Sequence, residues 1–263
     1  MPTSLEEIVN DTARGLPALR QRRAALERKI EGSAVSRPSF AAALRRKTVA
    51  VIAEIKRRSP SEGSIQEDLD PGERAVLYAS HGAAAVSVLT DRPYFGGSIQ
   101  DLQEAANRCT LPLLRKDFIL DEVQILEARA AGASAVLLIV RILDRPTLEA
   151  LVSYTRSVGL EPLVEVHTEA ELETALKADA LVIGVNSRDL TTFRVDTQAA
   201  WQIIRRVPPD RLVVAESGIT GPADILQAAS SGADAVLVGA ALSRAPSPAN
   251  LLRELAGVPR YGR

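Results

Sequence analysis

A five-residue pattern recurs at a fixed period in this chain. Gly82-Ala-Ala-Ala-Val86, Gly132-Ala-Ser-Ala-Val136 and Gly232-Ala-Asp-Ala-Val236 follow one another at spacings of 50 and 100 residues, and Ala178-Asp-Ala-Leu-Val182 fills the missing place approximately. Such a period marks a repeated supersecondary unit that cannot cover its own apolar surface and must pack on its neighbours. Each copy ends a helix on glycine or small residues and enters a short apolar run, at 84–89, 135–140, 181–185 and 235–238. Further apolar runs lie between them, at 49–53, 111–114, 160–166 and 212–215, which makes eight expected strands.

Amphipathic helical patterns follow the strands, at about 71–81, 98–108, 121–131, 144–157, 168–177, 196–206, 221–231 and 247–256. Asp144 before Arg145-Pro146 and Thr220 before Gly221-Pro222 read as helix N-caps. Alternating strands and helices require a parallel sheet with the helices outside it. Eight such units predict an α/β fold closed as a (β/α)8 barrel, a TIM barrel. A doubly wound open sheet is the alternative, and the repeat symmetry favours closure. Residues 1–48 read as amphipathic helices with Leu5, Ile8, Val9, Leu16, Leu19, Leu26 and Ile30 in apolar positions. They are expected to be a helical extension packed on the barrel, so that 1–263 form a single domain.

The 263 residues suffice for such a barrel, and 32 Lys+Arg against 33 Asp+Glu leave no overall field favouring nucleic acid or an acidic membrane. The arginine clusters Arg20, Arg22 and Arg23, and Arg45, Arg46 and Lys47, read as solvated helix faces. One cysteine, Cys109, excludes an internal disulfide, and with only His81 and His167 no metal-ligand cluster is visible. No apolar run approaches a membrane span and no leader-like apolar segment opens the chain, so a cytoplasmic protein is expected, a monomer rather than an obligate oligomer.

Chemistry is concentrated where apolar strands end in charge. Five apolar residues lead into Glu54-Ile55-Lys56, and residues two apart on a strand share a face, so Glu54 and Lys56 are delivered together to an interior. Buried charges must meet each other, other polar groups or a ligand. Ser59, Pro60 and Ser61 then turn the chain. The other strand exits hold Arg115, Lys116 and Asp117; Glu165 and His167; Asn186, Ser187 and Arg188; Glu216, Ser217 and Gly218; and Gly239. In barrels of this kind the C-terminal mouth carries catalysis, and the loops after strands seven and eight commonly hold a phosphate. Ser217-Gly218 and Gly239-Ala240 present backbone N–H groups there.

Five segments carry a family resemblance: Ala53-Glu-Ile-Lys-Arg-Arg-Ser-Pro-Ser-Glu-Gly63, Leu114-Arg-Lys-Asp-Phe-Ile119, Leu163-Val-Glu-Val-His167, Gly184-Val-Asn-Ser-Arg-Asp-Leu190 and Ala215-Glu-Ser-Gly-Ile219. In that order, one per strand, they resemble the motifs of indole-3-glycerol-phosphate synthase. The resemblance implies a lyase of tryptophan biosynthesis that closes, decarboxylates and dehydrates 1-(2-carboxyphenylamino)-1-deoxyribulose 5-phosphate, with no cofactor and no metal. It implies Lys116 as general acid at ring closure, Glu165 as the base of the dehydration, Lys56 or Lys116 as its acid, and Glu54 as the tuner of the lysines. Asn186 and Glu216 would hold substrate hydroxyl or amino groups, with Ser217 supporting them. Phe118, with Phe95, Leu137 and Phe193, would form the wall for the ring, with Arg188 at the pocket. Lys56, Ser59, Gly218, Gly239 and Ala240 would hold the phosphate. A common family pattern has a hydroxyl or acidic side chain where this chain has Ala240, a change that spares the backbone donor.

Two other readings remain open at this level. A phosphoribosyl isomerase would share the glycines of strands seven and eight but needs an acid–base pair such as Cys and Asp, and Cys109 is expected at the opposite rim. A catalytically silent scaffold would not need Glu54, Lys56, Lys116, Glu165, Asn186 and Ser217 together. His167 follows Glu165 by two residues and could be read as a dyad with it, but it lies beyond the strand end, where spacing does not give its direction, and a supporting role is expected.

Overall fold

The computed structural model describes residues 4–32, 37–60 and 63–261; Ser61, expected in the turn after the first strand, lies outside them. Eight strands, β1 (Ala50–Ile55), β2 (Ala85–Leu89), β3 (Leu113–Lys116), β4 (Ala135–Ile139), β5 (Glu161–Val166), β6 (Val182–Asn186), β7 (Leu212–Glu216) and β8 (Ala235–Val238), form a closed barrel. Every neighbouring pair is parallel, and β8 seals against β1 from Ala50↔Ala235 to Ala53↔Val238. That closure removes the open-sheet alternative. The apolar runs are continuous because both faces are covered: Ala50 and Ile52 point to the barrel interior, while Val51 and Ala53 meet the outer helices.

The strands run further into charged sequence than their apolar runs suggest. β1 continues through Glu54 and Ile55, paired with Ser87 and Val88, and β3 ends on Arg115 and Lys116. Pairing extends there because the charges have partners, so the main chain need not leave the sheet to reach water. The outer helices lie within two residues of the expected bounds, from Pro71–Ser80 to Pro248–Ala256. Asp144 caps its helix by accepting from the Thr147 N–H at 2.9 Å. Thr220 does not cap: the N-cap is Gly221, and Asp224 instead accepts from the Thr220 and Gly221 N–H groups. The sequence reading omitted two short helices, Arg92–Phe95 and Ala240–Arg244, and a small hairpin of Arg58–Ser59 with Gly63–Ser64.

Three helices precede β1: α1 (Leu5–Arg20), α2 (Arg23–Glu31) and α3 (Phe40–Leu44). Leu16 and Leu26 are buried with Val123 and Leu126 of the helix Glu122–Ala130. Arg20, Arg22 and Arg23, expected as a solvated face, stay in contact with solvent and also pair with Asp121, Glu127 and Glu122 at 2.6, 3.1 and 3.2 Å. Such exposed pairs contribute little energy singly, but three in a row fix how the extension docks. α3 closes the lower end of the barrel: Phe40 and Leu44 join the interior cluster, and Glu161 at the foot of β5 accepts from the N–H groups of Phe40 and Ala41.

Candidate active site at the strand ends

The pleat that sends Ile52, Leu114, Leu163, Gly184 and Val214 inward sends the residues two further along inward as well. Those residues are Glu54, Lys116, Glu165, Asn186 and Glu216. Lys116 Nζ lies 3.2 Å from Glu216, 3.7 Å from Glu165 and 4.0 Å from Glu54, while Lys56 Nζ lies 3.6 Å from Glu54. Three carboxyl groups and two lysine amino groups thus share one pit. Burial alone would weaken the hold of Lys116 on its proton. The fields of Glu216, Glu165 and Glu54 overcome that penalty and hold it as an ammonium well above the ordinary lysine range. Burial acts oppositely on Glu216: with the charges of Glu165 and Glu54, and against the pull of Lys116, it pushes the carboxyl up to about 8.

Two glycines make the cluster possible. A Cβ on Gly184 would lie 2.2 Å from Glu216 Oε1, and one on Gly239 would lie 2.2 Å from Glu54 Oε1. Only the absence of a side chain at each position leaves space for the carboxylate beside it. Gly184 is a functional position that sequence reading did not single out, although an unexplained glycine inside an apolar strand is the known signal for such a close approach.

Above the charges the loops complete a cavity that opens to solvent. Asn186 Oδ1 accepts from Ser217 Oγ at 2.8 Å and from the Arg188 N–H at 3.0 Å, which leaves the amide nitrogen as the end that donates. Ser217 and Gly218 both have left-handed backbones, with φ of 65° and 73°. Phe95 and Phe118 lie 6.2 Å apart between ring centres, and Leu137 and Phe193 continue that wall. Lys56, Ser59, Gly218, Gly239 and Ala240 surround another part of the cavity, where β1, β7 and β8 end, and Arg188 also lines it. All the residues singled out from sequence for substrate or chemistry therefore border one cavity.

The sequence reading missed the apolar residues Leu89, Ile139, Leu190 and Leu237, which also line it. Inward parity from Leu137 to Ile139 could have found the second. Asp117 is occupied structurally, accepting from Thr90, from Arg115 at 3.1 Å and from the Phe118 N–H at 2.8 Å. Cys109 is buried at the end of the helix Ile99–Arg108, away from the strand exits, and offers no acid–base pair of the isomerase kind. Among the described residues no His/Cys/Asp/Glu group has the arrangement of a metal site.

A sequence model of the family described as indole-3-glycerol phosphate synthase matches residues 5–255. The indole-3-glycerol phosphate synthase of Desulfosudis oleivorans is 45% identical over 260 residues, covering 97% of this chain and 99% of that protein. The enzyme of the same name from Parafrankia sp. is 47% identical over 255 residues, covering 96% and 94%. Among solved structures, the 3-hexulose-6-phosphate synthase of Salmonella typhimurium superposes with a TM-score of 0.61 at 16% identity, covering 79% of this chain and 97% of that one. The thiamine phosphate pyrophosphorylase of Pyrococcus furiosus does so with a TM-score of 0.58 at 19% identity, covering 81% and 95%. At that identity these two likenesses concern the fold alone.

Proposed function

The chain belongs to the indole-3-glycerol phosphate synthase family and is a carboxy-lyase of tryptophan biosynthesis, and we propose that the cavity at the strand ends divides that reaction among its residues as follows. The reading is carried by one observation, an ammonium group, Lys116, set among three buried carboxyl groups beside an apolar wall.

The aromatic ring of the substrate rests against Phe118 and Phe95, with Leu137 and Phe193 beyond, and the phosphate is held by Lys56, Ser59 and the backbone at Gly218, Gly239 and Ala240. Ring closure begins when the ring carbon bearing the carboxylate attacks the ketone. Negative charge then develops on the ketone oxygen, and a fixed cation in a water-poor site stabilises it far better than solvent does. Lys116 supplies that charge. Its carboxylate clamp keeps the proton in place until an alkoxide, a much stronger base, draws it off. Loss of carbon dioxide restores aromaticity. The apolar wall favours this step because it solvates the departing carboxylate poorly.

Water then leaves: the hydroxyl departs from the former ketone carbon with a proton from an acid, Lys56 or Lys116. A base takes the proton lost from the new ring, at the adjoining carbon or at the nitrogen. Glu165 is that base. Glu54, in reach of both lysines, helps hold the charge of Lys116, while Glu216 and Asn186, braced by Ser217, orient substrate polar groups. Arg188 borders the pocket beside them. The chain works as one domain, with residues 1–48 as an extension of the barrel, and as a cytoplasmic monomer. No described helix is long and apolar enough to cross a membrane.

Incubation with 1-(2-carboxyphenylamino)-1-deoxyribulose 5-phosphate tests this reading. Indole fluorescence should appear with release of one carbon dioxide per turnover, and its absence in the folded protein would refute the activity.

A further inference from the structure

His167 is not part of the cavity wall, yet its imidazole is buried, 3% exposed. The chain turns after β5 so that the ring comes back against Glu165: Nε2 lies 3.4 Å from Glu165 Oε1. Both atoms are buried, and neither makes a hydrogen bond among the described residues; the two face each other within ion-pair range, outside hydrogen-bond geometry. The second oxygen of Glu165, Oε2, points toward Lys116 Nζ at 3.7 Å.

Behind the ring stands another carboxylate. Glu171 Oε2 accepts from the His167 main-chain N–H at 2.6 Å and lies 3.3 Å from Nδ1. Glu171 is itself gripped by Arg141 at 3.0 Å, and Arg141 reaches Asp189 at 3.0 Å. Burial would raise the Glu171 carboxyl, but the His167 and Arg141 contacts outweigh it and hold Glu171 below the usual range, as a carboxylate. Each ring nitrogen of His167 therefore faces a carboxylate oxygen, and a carboxylate can only accept. The charged groups around the ring are Glu165 and Glu171, with Lys116 beyond the first and Arg141 beyond the second.

We propose that His167 is the positioning residue of Glu165. Its Nε2–H, facing Oε1 at 3.4 Å, attracts that oxygen, which keeps Oε2 turned toward the cavity, where it takes the proton of the dehydration. Atoms balance without passage through the ring: the bond from hydrogen to the new heterocycle breaks, an O–H bond forms at Oε2, and Nε2–H continues to face Oε1. Glu171, locked by Arg141, keeps the ring from swinging away. This inference rests on the assignment of Glu165 as the base.

The test uses full-length His167→Ala and His167→Gln enzymes, with Glu165→Gln as reference. His167→Ala should lower kcat by about 10- to 100-fold, as for a lost orienting contact, with KM within about twofold. In a single turnover, carbon dioxide release should keep its rate while indole fluorescence lags. Glutamine can place an amide N–H near the position of Nε2, so His167→Gln should recover much of the loss. With two histidines in the chain, the ring nitrogens are separable by NMR, and Glu165→Gln should shift the Nε2 signal of His167. Normal kcat in both His167 variants alongside an impaired Glu165→Gln enzyme overturns the inference and leaves the base assignment intact. Equal slowing of both steps in His167→Ala, with a lowered melting temperature and no recovery in His167→Gln, also overturns it in favour of a role in folding. Normal turnover by Glu165→Gln refutes the base assignment and this inference with it.

Discussion

Gly184 and Glu216 occupy one space: the carboxylate oxygen Oε1 of Glu216 lies 2.2 Å from where a side chain on Gly184 would begin. Glu216 in turn stands 3.2 Å from Lys116. A strand residue with no chemistry of its own therefore decides where the carboxylate and the central ammonium can sit.

Gly184→Ala should accordingly displace Glu216. kcat is expected to fall at least about tenfold, with a stability loss of about 1–3 kcal/mol, the usual cost of overpacking. Steady-state kinetics and denaturant melts report the two effects separately. A variant with normal kcat would show that the cluster tolerates movement of Glu216.

Lys116→Met removes the cation at the ketone oxygen while preserving much of the side-chain volume. kcat should drop by about 10² or more with little change in substrate affinity. Near-normal kcat would dismiss Lys116 as the acid of ring closure.

Phosphate contacts should affect KM rather than kcat. At Gly218 an added Cβ would meet Thr197 Cγ2 at 2.6 Å and Val195 Cγ1 at 3.0 Å, and φ is 73°. Gly218→Val should therefore raise KM several-fold, and inorganic phosphate should compete with substrate. At Gly239 the added atom meets Glu54 first, so Gly239→Val should lower kcat as well. Unchanged KM in the Gly218 variant without phosphate inhibition would remove the phosphate from this part of the cavity.

Glu216 couples stability to pH. Its carboxyl titrates at about 8 in the fold against 4.5 in its ordinary state, so between those values the folded protein retains a proton that the unfolded chain has released. The associated stability is complete below pH 4.5 and is lost as pH rises through about 8. Lys116, raised above its ordinary 10.5, keeps its proton in both states across that window and adds no slope. Melting temperatures of Glu216→Gln and of the unaltered protein should therefore diverge from pH 5 to pH 8, the variant falling less. Parallel curves would mean that Glu216 is ionised throughout.

Much of this was legible in the sequence, for a physical reason. A closed parallel barrel buries both faces of its strands, so the apolar runs and the glycine-rich entries of the repeat mark the sheet directly. Charges that end such runs, as in Glu54-Ile55-Lys56, can project only into the pit or the outer layer, and parity decides which. Parity fails once the strand ends: His167 follows Glu165 by two residues, but only the turn after β5 shows that its ring folds back on that carboxylate. Three-dimensional pairing is likewise absent from a single chain. Nothing near Arg20, Arg22 and Arg23 announces acids about 100 residues away, and Gly184 reads as a weak point in a strand until Glu216 is seen beside it.

The seal between β1 and β8 also bears on how the protein is made. Glu54 and Lys56 leave the ribosome early, whereas Gly239, against which Glu54 packs, comes near the end of the chain. Until β8 closes, the early charges can remain hydrated; their desolvation comes in one step, when this contact of high sequence separation forms. The catalytic cluster is then a late product of folding, and a nascent chain halted short of residue 235 has neither the final strand nor the confinement that gives Lys116 its chemistry.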